Sequence, residues 1–369
     1  MIRDPLALWT GEIARRAGFD DAEAFARAFD LKPYRLRQLY HAANKELLES
    51  VAEVTTLPLA LREALAKAVA FSSVEPVVIQ RSGDGQTTKG LFRLRDGKEV
   101  EAVLMEHHGD RTTVCISSQA GCAFACAFCS TGQAGFTRNL EPTEIVDQAR
   151  YFARELKQRG KKMTNVVFMG MGEPFHNYDA VMSAVALLHD PRGLGLGHRH
   201  ITISTVGLVE KIDAFADEGL QVNLAISLHA SNDKVRSAIM PVNRRHGVDE
   251  LLAACDRYIE KTNRKVFFEY VMLDGVNDTD AHARELAERM RGHLYHVNLI
   301  PYNTTPDGAF GGTPDPRIWR FAGILDDVGV PTTVRRNMGR DIAAACGQLR
   351  AQTQPKAHQV ATGVSPVSS

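Results

Sequence analysis

The first part of the chain carries apolar residues at helical spacing. The segments DDAEAFARAF, LKPYRLRQLYHAANK and LPLALREALAKAV each place apolar side chains along one side of a helix. The turn-rich segment SGDGQ at 82–86 interrupts this pattern. We therefore predict that residues 1–85 form a small helical accessory domain.

A different pattern follows in TKGLFRLRDGKEVEAVLMEHH, where apolar and polar residues alternate as in a half-buried strand. Asp96 and Gly97 interrupt the alternation with a dipeptide that is typical of a tight hairpin turn. The pattern predicts a β-hairpin linker over residues 86–111.

From residue 112 onward, short apolar runs of strand length alternate with longer segments of helical periodicity. The predicted strands are TVCISS, TNVVFMGM, HITIST, VNLAISLH, KVFFEYVML and YHVNLIPYN. Six β/α units in series predict an α/β fold with a parallel sheet and outer helices, either an open sheet or a barrel. Reactive groups then belong at the C-terminal ends of the strands. We predict one main domain over 112–350 and a disordered polar tail over 351–369.

Composition and charge restrict the class of protein. Of the 369 residues, 44% are hydrophobic. Because 44 basic residues balance 44 acidic ones, the net charge does not indicate a nucleic-acid partner. The N-terminus lacks the apolar core of a signal peptide, and no apolar run is long enough to span a membrane. We expect a cytoplasmic protein without a membrane partner, whose six cysteines are intracellular thiols.

Three of these cysteines lie in one short loop, GCAFACAFCS. Cys122, Cys126 and Cys129 follow the pattern C-x3-C-x2-C directly after the first strand of the β/α series. A structural zinc ion usually takes four ligands, often as two separated pairs, and no partner pair stands nearby. A [4Fe–4S] cluster held by three cysteines would leave one iron open to a small molecule. A zinc knuckle or a set of buried thiols is the alternative.

The cysteine pattern, with Phe128 before the last cysteine, resembles the signature of the radical S-adenosylmethionine enzymes. A second motif, FMGMGEP at 168–174, follows a strand and is similar to the stretch that contacts the methionine amino group in these enzymes. Longer strings narrow the resemblance to the RlmN/Cfr family of RNA-methylating enzymes. These strings are CISSQAGCAFACAFCSTGQAGFTRNL, FMGMGEPFHNYD, ISLHASND, NLIPYN and DIAAACGQL.

The resemblance implies the fold and the cofactors. It implies a partial (βα)6 radical S-adenosylmethionine barrel with an N-terminal helical domain and a β-hairpin extension. It also implies a [4Fe–4S] cluster on Cys122, Cys126 and Cys129, and two molecules of S-adenosylmethionine per turnover. The open iron of the cluster would chelate the amino and carboxylate groups of the nucleotide, whose one-electron cleavage releases a deoxyadenosyl radical.

The resemblance also assigns roles to two further cysteines and a carboxylate. Cys346 would be methylated on sulfur, lose a hydrogen atom from that methyl group, and add its carbon to adenine. Cys115 would then resolve the covalent protein–RNA adduct through a transient disulfide with Cys346. Glu101 matches a proposed proton acceptor, although a solvent-facing strand residue is the ordinary alternative for it. Cys255, on an amphipathic helix, is expected to be a small buried hydrophobe.

Contacts to S-adenosylmethionine carry over by match to the ends of successive strands. Gly172 and Glu173 are assigned to the methionine amino group. The remaining expected contacts are Ser204, Ser227, Leu228, His229 and Asn303. Each of them alone could be a routine residue at the end of a strand, and their placement at successive strand ends makes a shared site plausible.

The resemblance names the partners as well. The strings FCSTGQAGFTRNL and GMGEP resemble members that methylate C2 of adenine in 23S rRNA, at the peptidyl-transferase centre, and in tRNA, 3′ to the anticodon. A monomer that receives electrons from a flavodoxin-type donor is expected. Local basic clusters that could contact RNA are Arg35/Arg37, Lys161/Lys162, Arg244/Arg245/His246 and Arg335/Arg336/Arg340. The alternatives are a C8 methyltransferase of the Cfr type, which confers antibiotic resistance, and a non-catalytic RNA-binding protein with a structural metal.

Overall fold

The computed structural model describes residues 4–303, 309–336 and 338–349. The tail predicted to be disordered, 351–369, lies outside the described residues. Within these ranges, ten strands form one sheet, and two short strands form a second. No helix in the described ranges combines the length and the apolarity that crossing a bilayer requires.

Four helices occupy the N-terminal region: α1 (Pro5–Arg16), α2 (Ala22–Ala28), α3 (Pro33–Asn44) and α4 (Leu59–Ala68). Asp4 and Asp21 cap the first two helices by accepting hydrogen bonds from backbone N–H groups. Trp9 packs edge-on against Tyr40, with ring centroids 5.5 Å apart, and so joins α1 to α3. The helical prediction is therefore confirmed for these segments.

The helical prediction for residues 1–85 is wrong at its end, because Val74–Arg81 forms a strand, β1. It pairs antiparallel with β2 (Thr87–Leu94), and its register shifts between Pro76 and Val78. An edge strand tolerates proline at such an irregularity, because no hydrogen bond of the ladder is needed there. The predicted hairpin is confirmed: β2 pairs antiparallel with β3 (Glu99–Glu106) around the Asp96–Gly97 turn.

The remaining elements alternate as the sequence predicts. In chain order they are β4 (Thr112–Cys115), β5 (Gln119–Gly121), α5 (Ser130–Ala134), β6 (Phe136–Asn139), α6 (Pro142–Gln158), β7 (Asn165–Phe168), α7 (Tyr178–His189), β8 (Ile201–Thr205), α8 (Val209–Asp217), β9 (Asn223–Ser227), α9 (Asp233–Ile239), α10 (Val248–Thr262), β10 (Val266–Met272), α11 (Asp280–Met290), β11 (Tyr295–Pro301), α12 (Asp315–Asp326) and β12 (Thr332–Val334). Short 3-10 turns cover Val51–Glu53, Pro174–Asn177, His198–His200, Pro241–Arg244 and Arg340–Ile342.

The large sheet has the order β1-β2-β3-β4-β7-β8-β9-β10-β11-β12. Its first three pairings are antiparallel, and all pairings from β4 to β12 are parallel. Six of the parallel strands, β4 and β7 to β11, each lead to a helix, in the case of β4 after the short strand β5. The predicted partial (βα)6 barrel is thus confirmed, with the β1–β3 ribbon extending one edge.

Buried polar contacts fasten the N-terminal helices to the barrel. Arg150 on α6 is 2% exposed; it pairs with Asp147 and donates to the carbonyl oxygens of Ala43 and Phe71. Asp147 also accepts from the backbone N–H and the hydroxyl of Ser73. A buried charge is costly unless it is paired and hydrogen-bonded, so this network favours one position of the helical region against the barrel.

Candidate active site

A cavity opens at the C-terminal ends of the parallel strands. Its wall contains the three cysteines of the predicted cluster motif and most of the residues expected to bind the nucleotide. The predicted residues in the wall are Cys122, Cys126, Cys129, Gly172, Glu173, Ser204, Ser227, His229, Asn303 and Cys346. Parallel strands present their ends on the same side of the sheet, and this brings residues that are distant in sequence together.

The cysteine loop is held by backbone contacts on both sides. The N–H of Cys122 donates to Gly135, the N–H of Ala127 donates to Ile239, and the N–H of Cys129 closes a turn onto Cys126. Burial raises the pKa of Cys122 to about 12 and the pKa of Cys126 further above its ordinary value, and the neighbouring thiols add to both shifts. The three thiols therefore lie close enough to interact electrostatically.

This set of donors fits an iron–sulfur cluster. Three soft thiols from one loop face a shared cavity, and thiolates are the ligands that iron–sulfur clusters prefer. In the described part of the chain, no group of three or more histidine, cysteine or acidic side chains has the geometry to hold a single metal ion. A cluster whose cysteines bind different irons requires a wider spacing than a single ion does.

The GMGEP segment follows β7 and turns sharply beside the cysteine loop. Gly172 has a φ of +100°, and a Cβ there would approach the Gln119 side chain to 2.5 Å, so only glycine fits. Burial raises the pKa of Glu173 to about 7. Its two carboxylate oxygens accept from the N–H groups of Phe175 and Val206, at 2.9 and 2.8 Å. Glu173 therefore ties the ends of β7 and β8 together.

His229 follows β9 with a φ of +59° and faces Phe128 of the cysteine loop, with ring centroids 4.7 Å apart. Its Nδ1 accepts from the N–H of Val271 at 3.0 Å, so the ring proton lies on Nε2. Burial lowers the pKa of His229 to about 3. The neutral ring can therefore donate from Nε2 into the cavity. Leu228 is fully buried and is not part of the cavity wall.

The remaining expected contacts form a polar belt. Ser204 on β8 and Ser227 on β9 lie side by side, with their hydroxyl oxygens 3.5 Å apart. Asn303, after β11, accepts from Arg340 at 2.8 Å, which connects this edge of the cavity to the segment that carries Cys346.

Cys346 and Cys115 approach the cavity from different elements. Cys346 is exposed, and it lines the cavity wall beside Arg335. Cys115 is buried at the end of β4, where burial and then the nearby Cys346 raise its pKa to about 12. Desolvation by the surrounding protein raises the pKa of the Cys346 thiol, and the positive charge of Arg335 opposes that rise. All six cysteines are free thiols.

The Cys346 segment is clamped between two parts of the fold. On one side Ser130 and Thr131 of α5 donate to the carbonyl oxygens of Gly347 and Leu349, at 2.8 and 2.6 Å. On the other side, Lys89 of β2 donates to the Ala343 carbonyl at 3.3 Å. The clamp places the thiol next to the cysteine loop.

Glu101 is 6% exposed on β3 and pairs with Lys89, whose Nζ lies 3.2 Å from its Oε1. The alternative of a solvent-facing residue is therefore wrong. Glu101 is outside the cavity wall itself. Strand register places it on the same sheet face as Cys115, because Val103, two residues after Glu101, pairs with Cys115.

Sequence reasoning missed several residues of the cavity wall and misplaced the role of one. Glu269 and Met169 line the wall without having been predicted. Arg335 was grouped with a basic cluster for RNA, but it lies in the cavity and pairs with Glu269 at 2.9 Å. One signal could have found Glu269: a single carboxylate inside the otherwise apolar strand VFFEYVM, which parallel-sheet burial makes costly.

Comparison with known proteins gives the class first. Residues 116–287 match the sequence profile of the Radical SAM superfamily. A solved structure titled as a radical SAM methyltransferase, from Sphaerobacter thermophilus, superposes with a TM-score of 0.87 at 50% identity; the match covers 90% of this chain and 97% of that one. The chain is therefore a radical S-adenosylmethionine enzyme, a class that implies a [4Fe–4S] cluster and S-adenosylmethionine.

Curated relatives narrow the class to a family. A protein of Chloroflexus aurantiacus is 50% identical over 327 residues, covering 86% of each chain. A protein of Geobacillus kaustophilus is 43% identical over 333 residues, covering 90% of this chain and 91% of the other. Both are named probable dual-specificity RNA methyltransferase RlmN. This chain belongs to the RlmN family.

Proposed function

We propose that this chain methylates C2 of adenosine in two RNAs, 23S rRNA at the peptidyl-transferase centre and tRNA at the adenosine 3′ to the anticodon. The observation that carries the proposal is the approach of two non-cluster cysteines, Cys115 and Cys346, to one arginine at the cavity that holds the cluster motif. The relatives named as dual-specificity RNA methyltransferases support RNA as the substrate and a double specificity.

The target carbon requires a carrier residue. Adenine C2 bears an unreactive C–H bond and is not a nucleophile, so it cannot take a methyl group directly from S-adenosylmethionine. Of two such molecules per turnover, one would methylate the Cys346 sulfur and the other would be cleaved after the cluster supplies an electron. The position of Cys346 in the same cavity wall as the three cysteines of the cluster motif supports this carrier role. The clamp on its segment would hold the sulfur in one place.

Release of the product requires a second thiol and a base. The radical adduct would first lose the C2 proton and one electron, which the cluster would take back. Attack of the Cys115 thiolate on the Cys346 sulfur would then form a disulfide, break the sulfur–carbon bond and leave the carbon on adenine with its electron pair, which a proton joins. Glu101 is the proposed acceptor of the C2 proton. Its burial on the face shared with Cys115 supports that role.

The accessory regions would serve the substrate. We propose that the helical region within residues 1–85 contacts the RNA backbone, and that 86–111 is a linker. The target base would leave its stack to reach the cavity. A flavodoxin-type protein is the proposed electron donor and a monomer the proposed active form.

The test is the identity of the methylated base. The anaerobically reconstituted enzyme is incubated with 23S rRNA fragments and with tRNA, and nucleosides are separated by mass spectrometry. We expect 2-methyladenosine in both RNAs. Formation of 8-methyladenosine without the 2-methyl isomer would instead assign the C8 activity, and zinc binding without cleavage of S-adenosylmethionine would exclude both enzymes.

The roles of the thiols can be tested separately. Cys115→Ala should stall as a covalent protein–RNA adduct, visible as a shifted band that ribonuclease trims to a nucleotide mass on Cys346. Cys255→Ala is the matched control: this thiol is fully buried on α10, away from the cavity wall, and its loss should leave methylation intact. Normal turnover by Cys115→Ala would contradict the assignment.

A further inference from the structure

Glu269 is a buried carboxylate that the chemistry above leaves without a role. It lies on β10 within the apolar sequence VFFEYVM and is 4% exposed. The strand is central in the parallel sheet, between β9 and β11. A carboxylate at such a position is expensive to bury unless its oxygens are hydrogen-bonded.

Only one of its two oxygens is satisfied by the protein. Oε1 accepts from Nδ2 of Asn298 at 3.0 Å and from Nη2 of Arg335 at 2.9 Å. Oε2 is buried and has no hydrogen-bond partner among the residues that the structure describes. The side chain belongs to the cavity wall, which makes a molecule bound in the cavity the candidate partner for the unpaired oxygen.

The position of Glu269 indicates what that molecule is. Glu269 pairs in register with Ser227 on one side and with Asn298 on the other, so the three side chains share a face. The polar belt of Ser204 and Ser227 expected to bind S-adenosylmethionine therefore ends at Glu269. On the other side of Glu269, the backbone N–H of Arg335 donates to Leu299 of β11. Glu269 thus lies between the serines expected to bind the nucleotide and Arg335, which neighbours the Cys346 thiol.

We propose that Oε2 of Glu269 accepts a hydrogen bond from a nucleoside bound in this cavity. This inference rests on the proposed function, which brings two nucleosides here. The donor is either a ribose hydroxyl of S-adenosylmethionine or the exocyclic amine of the target adenine. In both cases the contact fixes the nucleoside relative to Cys346, because the same carboxylate holds Arg335 beside that thiol.

The decisive variant is Glu269→Gln. Asn298 and Arg335 both donate to the Oε1 position, so the amide oxygen of glutamine must occupy it and the amide –NH2 falls at the Oε2 position. The variant therefore replaces an acceptor with a donor and keeps the shape. We expect about tenfold to a hundredfold weaker binding of the nucleoside that supplies the hydrogen. Glu285→Gln on α11, whose carboxylate is paired with Ser231 and Asn232, is the control for removing a carboxylate elsewhere.

Two binding arms separate the sources, and both are measured by equilibrium binding without a reductant. The first compares S-adenosylmethionine with its 2′-deoxy and 3′-deoxy analogues on the reconstituted enzyme. The second compares a stem-loop RNA carrying adenosine at the target position with the same RNA carrying purine riboside, which lacks the amine. In the arm whose ligand supplies the hydrogen, wild type should lose affinity when the donor group is removed from the ligand. Glu269→Gln should bind the ligands with and without that group equally well.

Unchanged affinity of Glu269→Gln in both arms would overturn the inference. Should that variant not fold, the wild-type comparison decides alone. If wild type binds all three ligands that lack a donor as tightly as their parent ligands, the inference is also overturned. A purely structural role would lower stability but would not make the loss depend on a particular ligand donor. Failure of the proposed function is distinguishable, because it would appear as absent RNA methylation while the S-adenosylmethionine arm could still succeed.

Discussion

Lys89 offers a sharp test of how the Cys346 segment is held. Its ammonium group lies 3.2 Å from Glu101 Oε1 and 3.3 Å from the Ala343 carbonyl, and the paired side chains of Lys89 and Glu101 are only 11% and 7% exposed. Lys89→Met removes the charge and nearly preserves the length of the side chain. Removing one partner of a buried ion pair costs about 3–5 kcal/mol. Because both side chains are slightly exposed, we place the cost for this pair near the lower end of that range, at about 3 kcal/mol. The lost hydrogen bond to the Ala343 carbonyl adds about 1 kcal/mol.

We therefore expect Lys89→Met to lower the free energy of unfolding by about 4 kcal/mol in urea denaturation, with Lys98→Met, an exposed lysine on the same hairpin, as the control. The double variant Lys89→Met/Glu101→Leu should recover about 2 kcal/mol or more of the summed losses, because the second change removes the carboxylate that Lys89→Met leaves beside an apolar side chain. Alkylation of Cys346 by iodoacetamide should become faster in both Lys89 variants. Strictly additive losses, or an unchanged alkylation rate, would refute the reasoning.

Three further perturbations test the supports of the site. Arg236→Met should lower the unfolding free energy by about 3 kcal/mol or more in urea, because this guanidinium is 1% exposed and donates to carbonyl oxygens at two strand ends. Asp147→Ala should cost about 3–5 kcal/mol by leaving Arg150 unpaired in the interior, and limited proteolysis should then cleave the N-terminal region first. His229 stays neutral in the fold, with a pKa of about 3, but is protonated below about 6.5 when unfolded. Wild type should therefore lose about 2 kcal/mol relative to His229→Gln as the pH falls from about 6.5 to 5, and equal pH profiles would contradict the buried neutral ring.

Features that depend on neighbouring residues were predictable. The strand and helix periods, the Asp96–Gly97 turn and the helix-length segments between strands follow from side-chain spacing of two and 3.6 residues. The spacing of three cysteines within eight positions of GCAFACAFCS likewise predicts a cluster site without any information from distant residues. Gly172 also belongs here, since a tight turn after a strand and before an acidic residue is visible in GMGEP.

Features that depend on strand order were not predictable. β1 was assigned to the helical region, because its partner β2 is what makes Val74–Arg81 a strand. Glu101 reads as a surface residue until β2 brings Lys89 across from it. Arg335 reads as one of several surface arginines until the sheet places it beside Glu269.

The sequence by itself determined the class of chemistry and the β/α architecture, because both depend on the spacing of residues that are close together in the chain. Only the tertiary structure decided which charged groups share the cavity with the thiols. Glu269 and Arg335 are 66 positions apart, and whether such groups pair or repel depends on the register of strands that meet only when the whole sheet has formed.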